Sequence, residues 1–238
     1  MRILISFKPK FDVSEDAIVK HDIQGFIYNL IKYKDTKVLL DHDKHHFKFF
    51  CFSDIFPQGD FKKGETKNLL ISSPTKELIN LIDDNLPLEK SYRLAGLTIE
   101  VISKKTFNFP TKNNFISGSP IVLYKDNTKN EYFSFKKHKS LNFFLNRLQE
   151  NAVKKYQIYY NDPEFQLSGK IFDTIEFRKE VAVHNRKQGN EFIHIGTLWK
   201  KLEKEYIKKE ERRFYHFIME SGLGEKNSMG FGFLNPIQ

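Results

Sequence analysis

The way hydrophobic periodicity changes along the chain constrains its fold more than any other feature. Residues 2–8 alternate, with Ile3, Ile5 and Phe7 on one face, and predict a strand. Ser14 then suits the cap of a helix running to about residue 34. Ile23, Phe26, Ile27, Leu30 and Ile31 form its apolar stripe at helical spacing. Segments 47–53 and 66–71 read as strands. Ser73-Pro74 opens a second helix with Pro at its first helical position, Pro87 stops it, and 92–102 is a further strand. After a linker at 103–114, containing Pro110, the order restarts. A strand pair at 121–124 and 132–135 surrounds the Asp126-Asn127 turn. Ser140 caps a helix with Leu141, Phe144, Leu145, Leu148 and Val153 on one side. Two longer strands, 171–183 and 191–197, join near Gly189. A helix with Arg213, Phe214, Phe217 and Ile218 ends at Gly222, and 231–234 is the last strand. Segment 198–206 fits a helix as well as a strand extension.

The order β-α-β-β-α-β is the ferredoxin-like pattern. The expected fold is therefore α+β, with two tandem ferredoxin-like (RRM-like) units at 1–108 and 115–238. With 24 Phe and 10 Tyr, the 238-residue chain has ample apolar surface for cores of this size. It carries 39 Lys and Arg against 30 Asp and Glu, a net charge of +9 and a pI near 9.3, which points to a polyanionic partner. The single cysteine, Cys51, excludes an internal disulfide and any zinc site built mainly on Cys. The apolar run in MRILISFKPKF is too short for a signal peptide. No stretch approaches the roughly 18 apolar residues of a membrane span. A cytoplasmic location with no membrane partner is expected.

Segment 222–232 holds Gly222, Gly224, Gly230 and Gly232. A left-handed helix cap explains Gly222 and leaves three glycines. Two G-x-G pairs mark backbone that must approach something closely, either RNA or a packed strand. Lys226, Asn227 and Ser228 between them supply donors suited to phosphate. A P-loop is excluded because no Lys follows the second glycine pair. A dinucleotide fold is excluded because a helix precedes the glycines and the chain ends after them.

RNA is cut without metal when its own 2′-OH attacks the neighbouring phosphate in line. That chemistry needs a group on the 2′ proton, an acid for the leaving 5′ oxygen and a cation for the extra charge. Tyr28 sits off the apolar stripe of the first helix, on a face with His21, Gly25 and Lys32. The loop after that helix holds His42, His45 and His46, with Lys48 close behind. Metal binding by these histidines with Asp41 or Asp43, and a plain solvated loop, are the competing readings. Arg2, Lys8, Lys10, Lys104 and Lys105 lie near predicted strand ends. Arg178, Lys179, Arg186 and Lys187 form a second basic group near the long hairpin. A positively charged groove between the units is the expected binding surface.

The string GLGEKNSMGFGF resembles the C-terminal glycine-rich loop of the CRISPR-associated RAMP proteins, especially the Cas-six type endoribonucleases. IQGFIYNLIK resembles that family's first-helix motif, and KFFCFSDIF its following strand. The resemblance implies processing of precursor CRISPR RNA within its repeats, without metal or cofactor. It places the tyrosine that orients or deprotonates the 2′-OH on Tyr28, the general acid on His42 and the stabilising lysine on Lys48, within the first unit. It implies RNA contact by Gly222, Gly224, Lys226, Ser228, Gly230 and Gly232. Products would carry 5′-OH and 2′,3′-cyclic phosphate ends. The partners implied are CRISPR repeat RNA and a CRISPR effector complex, with the protein a monomer or homodimer. The alternative is a non-catalytic RAMP subunit that binds RNA in such a complex.

Overall fold

The alternation at the start of the chain produces β1 (Arg2–Pro9), and its inward residues Ile3, Ile5 and Phe7 are buried as predicted. The computed structural model describes residues 1–31, 47–187 and 189–237. β1 lies in the middle of an antiparallel five-stranded sheet. The other strands are β2 (Cys51–Phe52), β3 (Lys67–Ser72), β4 (Ser91–Leu94) and β5 (Leu97–Phe107), in the order β2-β3-β1-β5-β4. Helices α1 (Lys20–Ile31) and α2 (Lys76–Asp84) pack on it, and Ile23, Ile27, Ile31, Ile79 and Ile82 join the strands in one core.

Three local expectations change here. The helix expected from Ser14 starts later. Glu15–Ala17 form a single 3-10 turn, Ile18 is extended, and Asp22 Oδ2 accepts the Val19 N–H at 3.0 Å as α1 begins. Ser73-Pro74 does not open α2: the Ser73 hydroxyl accepts the Thr75 N–H at 3.0 Å, and Thr75 is the extended residue before the helix. The single strand expected at 92–102 is a hairpin turning at Ala95-Gly96, with Ala95 at φ 54°.

The second sheet is also antiparallel. It contains β6 (Asn114–Ser117), β9 (Thr174–Lys187), β10 (Asn190–Glu203) and β11 (Leu234–Pro236), ordered β11-β6-β10-β9. Its strands follow the same succession as β2-β3-β1-β5. Helices α4 (Leu141–Tyr160) and α5 (Arg212–Ser221) pack into its core with Phe115, Trp199 and Leu202. Ser140 caps α4 as predicted, its Oγ accepting the Phe143 N–H at 3.2 Å. The ambiguous stretch 198–206 extends β10 to Glu203 across a bulge at Leu198–Trp199.

The strand pair expected at 121–124 and 132–135 is reduced to a short ribbon, β7 (Tyr124–Asp126) with β8 (Glu131–Tyr132). A helical turn not foreseen from the sequence, α3 (Phe135–His138), follows it. Ile121 and Val122 make single bridges to Thr197 and Glu225 instead. The last strand falls later than 231–234 because Phe231 and Phe233 are buried in the packing that precedes it.

Arg2 is a clear departure from its expected place on a basic surface. It is 2% exposed and donates to the carbonyls of Met219 at 2.8 Å and Leu234 at 2.7 Å. Its guanidinium lies 4.5 Å from the Phe233 ring centroid. It fastens β1 to α5 and β11. Lys10 and Lys104 are likewise engaged, with Glu100 and Asp83 respectively.

Candidate active site

Lys20, Ile23, Gln24, Ile27 and Ile31 form the buried side of α1. Tyr28 is half-buried, its ring edge-on to Phe50 with centroids 6.0 Å apart. The side chains of Ser228 and Gln24 act on its hydroxyl, both favouring the ionised form. Burial pushes the phenol above its usual pKa despite these two opposing effects. The group is therefore a neutral phenol near pH 7, suited to orienting a hydroxyl and poorly suited to accepting its proton. Gln24 is held as well: its Nε2 donates to the Ser228 carbonyl at 2.9 Å, and its Oε1 lies 3.2 Å from His21 Nδ1. The first helix and the glycine segment, some two hundred residues apart in sequence, thus meet beside Tyr28, where Gln24 bonds Ser228.

Lys48 lies two residues before Phe50, and its carbonyl accepts the Phe50 N–H at 2.9 Å. The strand expected over 47–53 is only Cys51–Phe52, so Lys48 belongs to an irregular approach to β2. His42 lies outside the described residues, as do His45 and His46. Among the described residues no three His, Cys, Asp or Glu side chains are arranged to hold a metal ion.

The glycine segment is packed on both sides by protein. Gly222 ends α5 at φ 83° and ψ 162°, an extended conformation open to glycine rather than the left-handed cap expected. A Cβ there would lie 3.1 Å from Cys51, one on Gly224 2.5 Å from the Val122 carbonyl oxygen, and one on Gly230 2.1 Å from the Phe52 ring. A Cβ on Gly232 would lie 1.8 Å from the Leu223 carbonyl oxygen. Close packing against protein therefore accounts for the absence of side chains at all four positions. Lys226 and Ser228 remain partly exposed, with Lys226 Nζ 5.4 Å from the Tyr124 ring centroid.

Two lysines that drew no attention in the sequence hold this segment. Lys155 of α4 is 2% exposed and donates to the carbonyls of Gly222 at 2.7 Å and Gly224 at 3.1 Å, and to Asn227 Oδ1 at 2.7 Å. Asn227 Nδ2 in turn donates to the Leu223 and Phe231 carbonyls. Lys20 of α1 donates to the Gly230 carbonyl at 2.8 Å and pairs with Asp54. Each stands on the apolar stripe of its own helix, where a charge must find partners. That placement was the available signal.

The second basic group does not converge. Arg178 and Lys179 are exposed in the first half of β9, while Arg186 and Lys187 lie at its far end, roughly 26 Å along the strand at ~3.3 Å per residue. Arg186 donates to the Ala17 carbonyl and lies 4.0 Å from Asp22, so it ties the β9–β10 hairpin to the start of α1.

A family model described as "CRISPR associated protein Cas6, C-terminal" matches residues 103–236. A CRISPR-associated endoribonuclease, Cas6 2 of Methanocaldococcus jannaschii, is 52% identical over 244 residues, covering 100% of both chains. This chain belongs to the CRISPR-associated Cas6 family. A Cas6 endoribonuclease of Haloferax mediterranei is 20% identical, covering 100% of this chain and 94% of its own. The fold is that of solved Cas6 structures: one described as "CRISPR associated protein Cas6" has a TM-score of 0.72 at 24% identity over 100% of this chain and 99% of its own. Another, described as "An RAMP protein binding different RNA substrates", has a TM-score of 0.68 at 19% identity and covers 100% of both chains. Among the described residues, no helix of this Cas6 protein is long and apolar enough to cross a membrane.

Proposed function

We propose that this protein is an endoribonuclease that cuts CRISPR repeat RNA by in-line attack of the 2′-OH, without a metal ion. The observation that carries the reading is the full-length, 52% identity to a CRISPR-associated endoribonuclease. The position of Tyr28 beside Gln24, which bonds Ser228 of the glycine segment, supports it. The frame for this work is two tandem ferredoxin-like units, at 1–108 and 115–238. The shared strand succession of the two sheets supports that division.

In this mechanism the 2′ oxygen attacks phosphorus, the bond to the 5′ oxygen breaks, and the products carry 2′,3′-cyclic phosphate and 5′-OH ends. Tyr28 orients the 2′-OH, whose proton leaves to water. His42 gives a proton to the departing 5′ oxygen. Lys48 stabilises the charge that builds on the phosphoryl oxygens. The glycine segment holds Ser228 against Tyr28 and presents Lys226 toward the RNA.

The test is incubation with repeat RNA in EDTA, beside the same RNA with one 2′-deoxy nucleotide at the cut site. The expected result is cleavage of the first and tight, unproductive binding of the second. Cleavage of the deoxy substrate overturns the mechanism. Binding without any cleavage of either RNA identifies a non-catalytic RAMP subunit.

A further inference from the structure

A cavity of about 330 Å³ opens beside the candidate active site, at the low end of small-ligand sites. Gln24 belongs to both: its side chain acts on the Tyr28 hydroxyl and lines the cavity wall. The other walls come from the β8 ribbon, the tip of the β9–β10 hairpin and the glycine segment. Three aromatic rings dominate them. Tyr132 is stacked on Tyr124 with centroids 4.8 Å apart and planes at 19°, and lies 5.2 Å from His194. Phe192 lies 5.3 Å from His194. Tyr132 and Phe192 are partly exposed, while His194 is 2% exposed at the base.

The polar character of the cavity can be read atom by atom. Asn185 Oδ1 accepts the His21 N–H at 3.3 Å, which fixes its amide so that Nδ2 donates to His194 Nδ1 at 3.1 Å. A nitrogen that accepts carries no proton, so the neutral ring bears its hydrogen on Nε2. Burial, followed by the charges of Lys226 and Lys20, pulls the His194 pKa down to about 4, so the ring is neutral near pH 7. The cavity thus combines aromatic walls, an imidazole whose Nε2 carries its hydrogen, and one lysine, Lys226. A phosphate would need converging charge. A flat ring with acceptor atoms on its edge matches these walls and this donor.

We propose that this cavity receives one unstacked nucleobase of the RNA strand, packed against Tyr132 and Phe192 and accepting a hydrogen bond from His194 Nε2. The proposal rests on the RNA-cutting reading above. It adds that the strand is gripped by a base next to the reacting phosphate and not by its backbone alone.

The test is a double cycle on the full-length protein with the uncleavable 2′-deoxy repeat RNA, scanning abasic substitutions on either side of the cut. One position should weaken binding about tenfold when its base is removed, in line with the usual worth of a base–aromatic stack. Phe192→Ala should weaken binding of the intact RNA about tenfold, and removing the base at that position should then add nothing. If every abasic penalty persists unchanged in Phe192→Ala, the cavity holds no base and the proposal fails. A second measurement does not depend on that variant. 5-Iodouridine at the sensitive position should photocrosslink to the peptide containing Tyr132 or Phe192, and crosslinks confined elsewhere overturn the proposal. Cleavage of all-ribose repeat RNA by the wild type, run in parallel, separates the two readings. If cleavage persists and the cycle is additive, only the base site is wrong. If the RNA neither binds nor is cut, both fall.

Discussion

The glycine segment is gripped from two sides, and the two grips differ in kind. On the N-terminal side Lys20 has a carboxylate, Asp54, and one carbonyl, Gly230, with Phe52 against the glycine itself. On the C-terminal side Lys155 has two carbonyls and an amide oxygen, with no carboxylate among the described residues bonded to it, and is buried. The first grip is an ion pair at a partly exposed edge. The second is an enclosed amino group solvated by backbone, an interior substitute for water. A paired lysine is replaceable because its partner can return to solvent. An interior one leaves its acceptors stranded. The C-terminal grip should therefore be the one that holds the segment in shape.

Alanine at the two glycines should separate the grips most sharply. At Gly232 a Cβ meets a backbone carbonyl at φ 71°, and neither can give way. Gly232→Ala should cost about 4 kcal/mol or more, or prevent folding. Gly230→Ala meets the edge of Phe52, a side chain, and should cost less, about 2–3 kcal/mol. Urea unfolding of the pair decides; equal losses would remove the distinction.

Lys155→Met comes next. It strands three buried acceptors and should cost about 2–4 kcal/mol, against about 1 kcal/mol for Lys20→Met, where Asp54 can turn to water. A larger loss for Lys20→Met reverses the ranking of the grips.

The pH dependence sharpens the same point. Burial pushes Lys155 down to about 7, well below its ordinary 10.5. Between these values the unfolded chain binds a proton that the folded chain does not, so this site's contribution to stability rises with pH from about 7 toward 10.5. The stability gap between wild type and Lys155→Met should widen from pH 7 to pH 9 in parallel urea titrations. A gap that stays constant over this range means the ammonium keeps its proton.

The smallest effect on stability belongs to Ser228→Ala. The residue is partly exposed, and its loss should change stability by less than about 0.5 kcal/mol. Cleavage should still slow several-fold, with the effect in kcat rather than KM, because Tyr28 loses a polar side chain that acts on its hydroxyl.

Elements whose cause is local were legible in the sequence. Ser140 announces α4 because its capping bond spans three residues, and Ile3, Ile5 and Phe7 announce β1 because burial repeats every second residue. The Ala95-Gly96 turn was hidden, since Leu94 and Leu97 on either side continue the apolar run of one strand. Tyr28 was singled out by its place on α1. Its contact with Ser228 was not, because nothing local links residues at opposite ends of a chain. Lys155 and Lys20 were overlooked for a different reason. Most lysines are solvated, and only their registration with Leu148, Ala152, Ile23 and Ile27 marks these two as interior.

Cys51 lies against Gly222 and bonds through its sulfur to the Glu220 carbonyl at 3.5 Å, fully enclosed, with its pKa pushed up to about 12. A thiol in that state does not react with alkylating reagents, so modification must await separation of β2 from the glycine segment. The chain carries no second cysteine to confuse the signal. Labelling kinetics in native buffer would therefore time the opening of this seam alone, and RNA that clasps both of its sides should lengthen the interval.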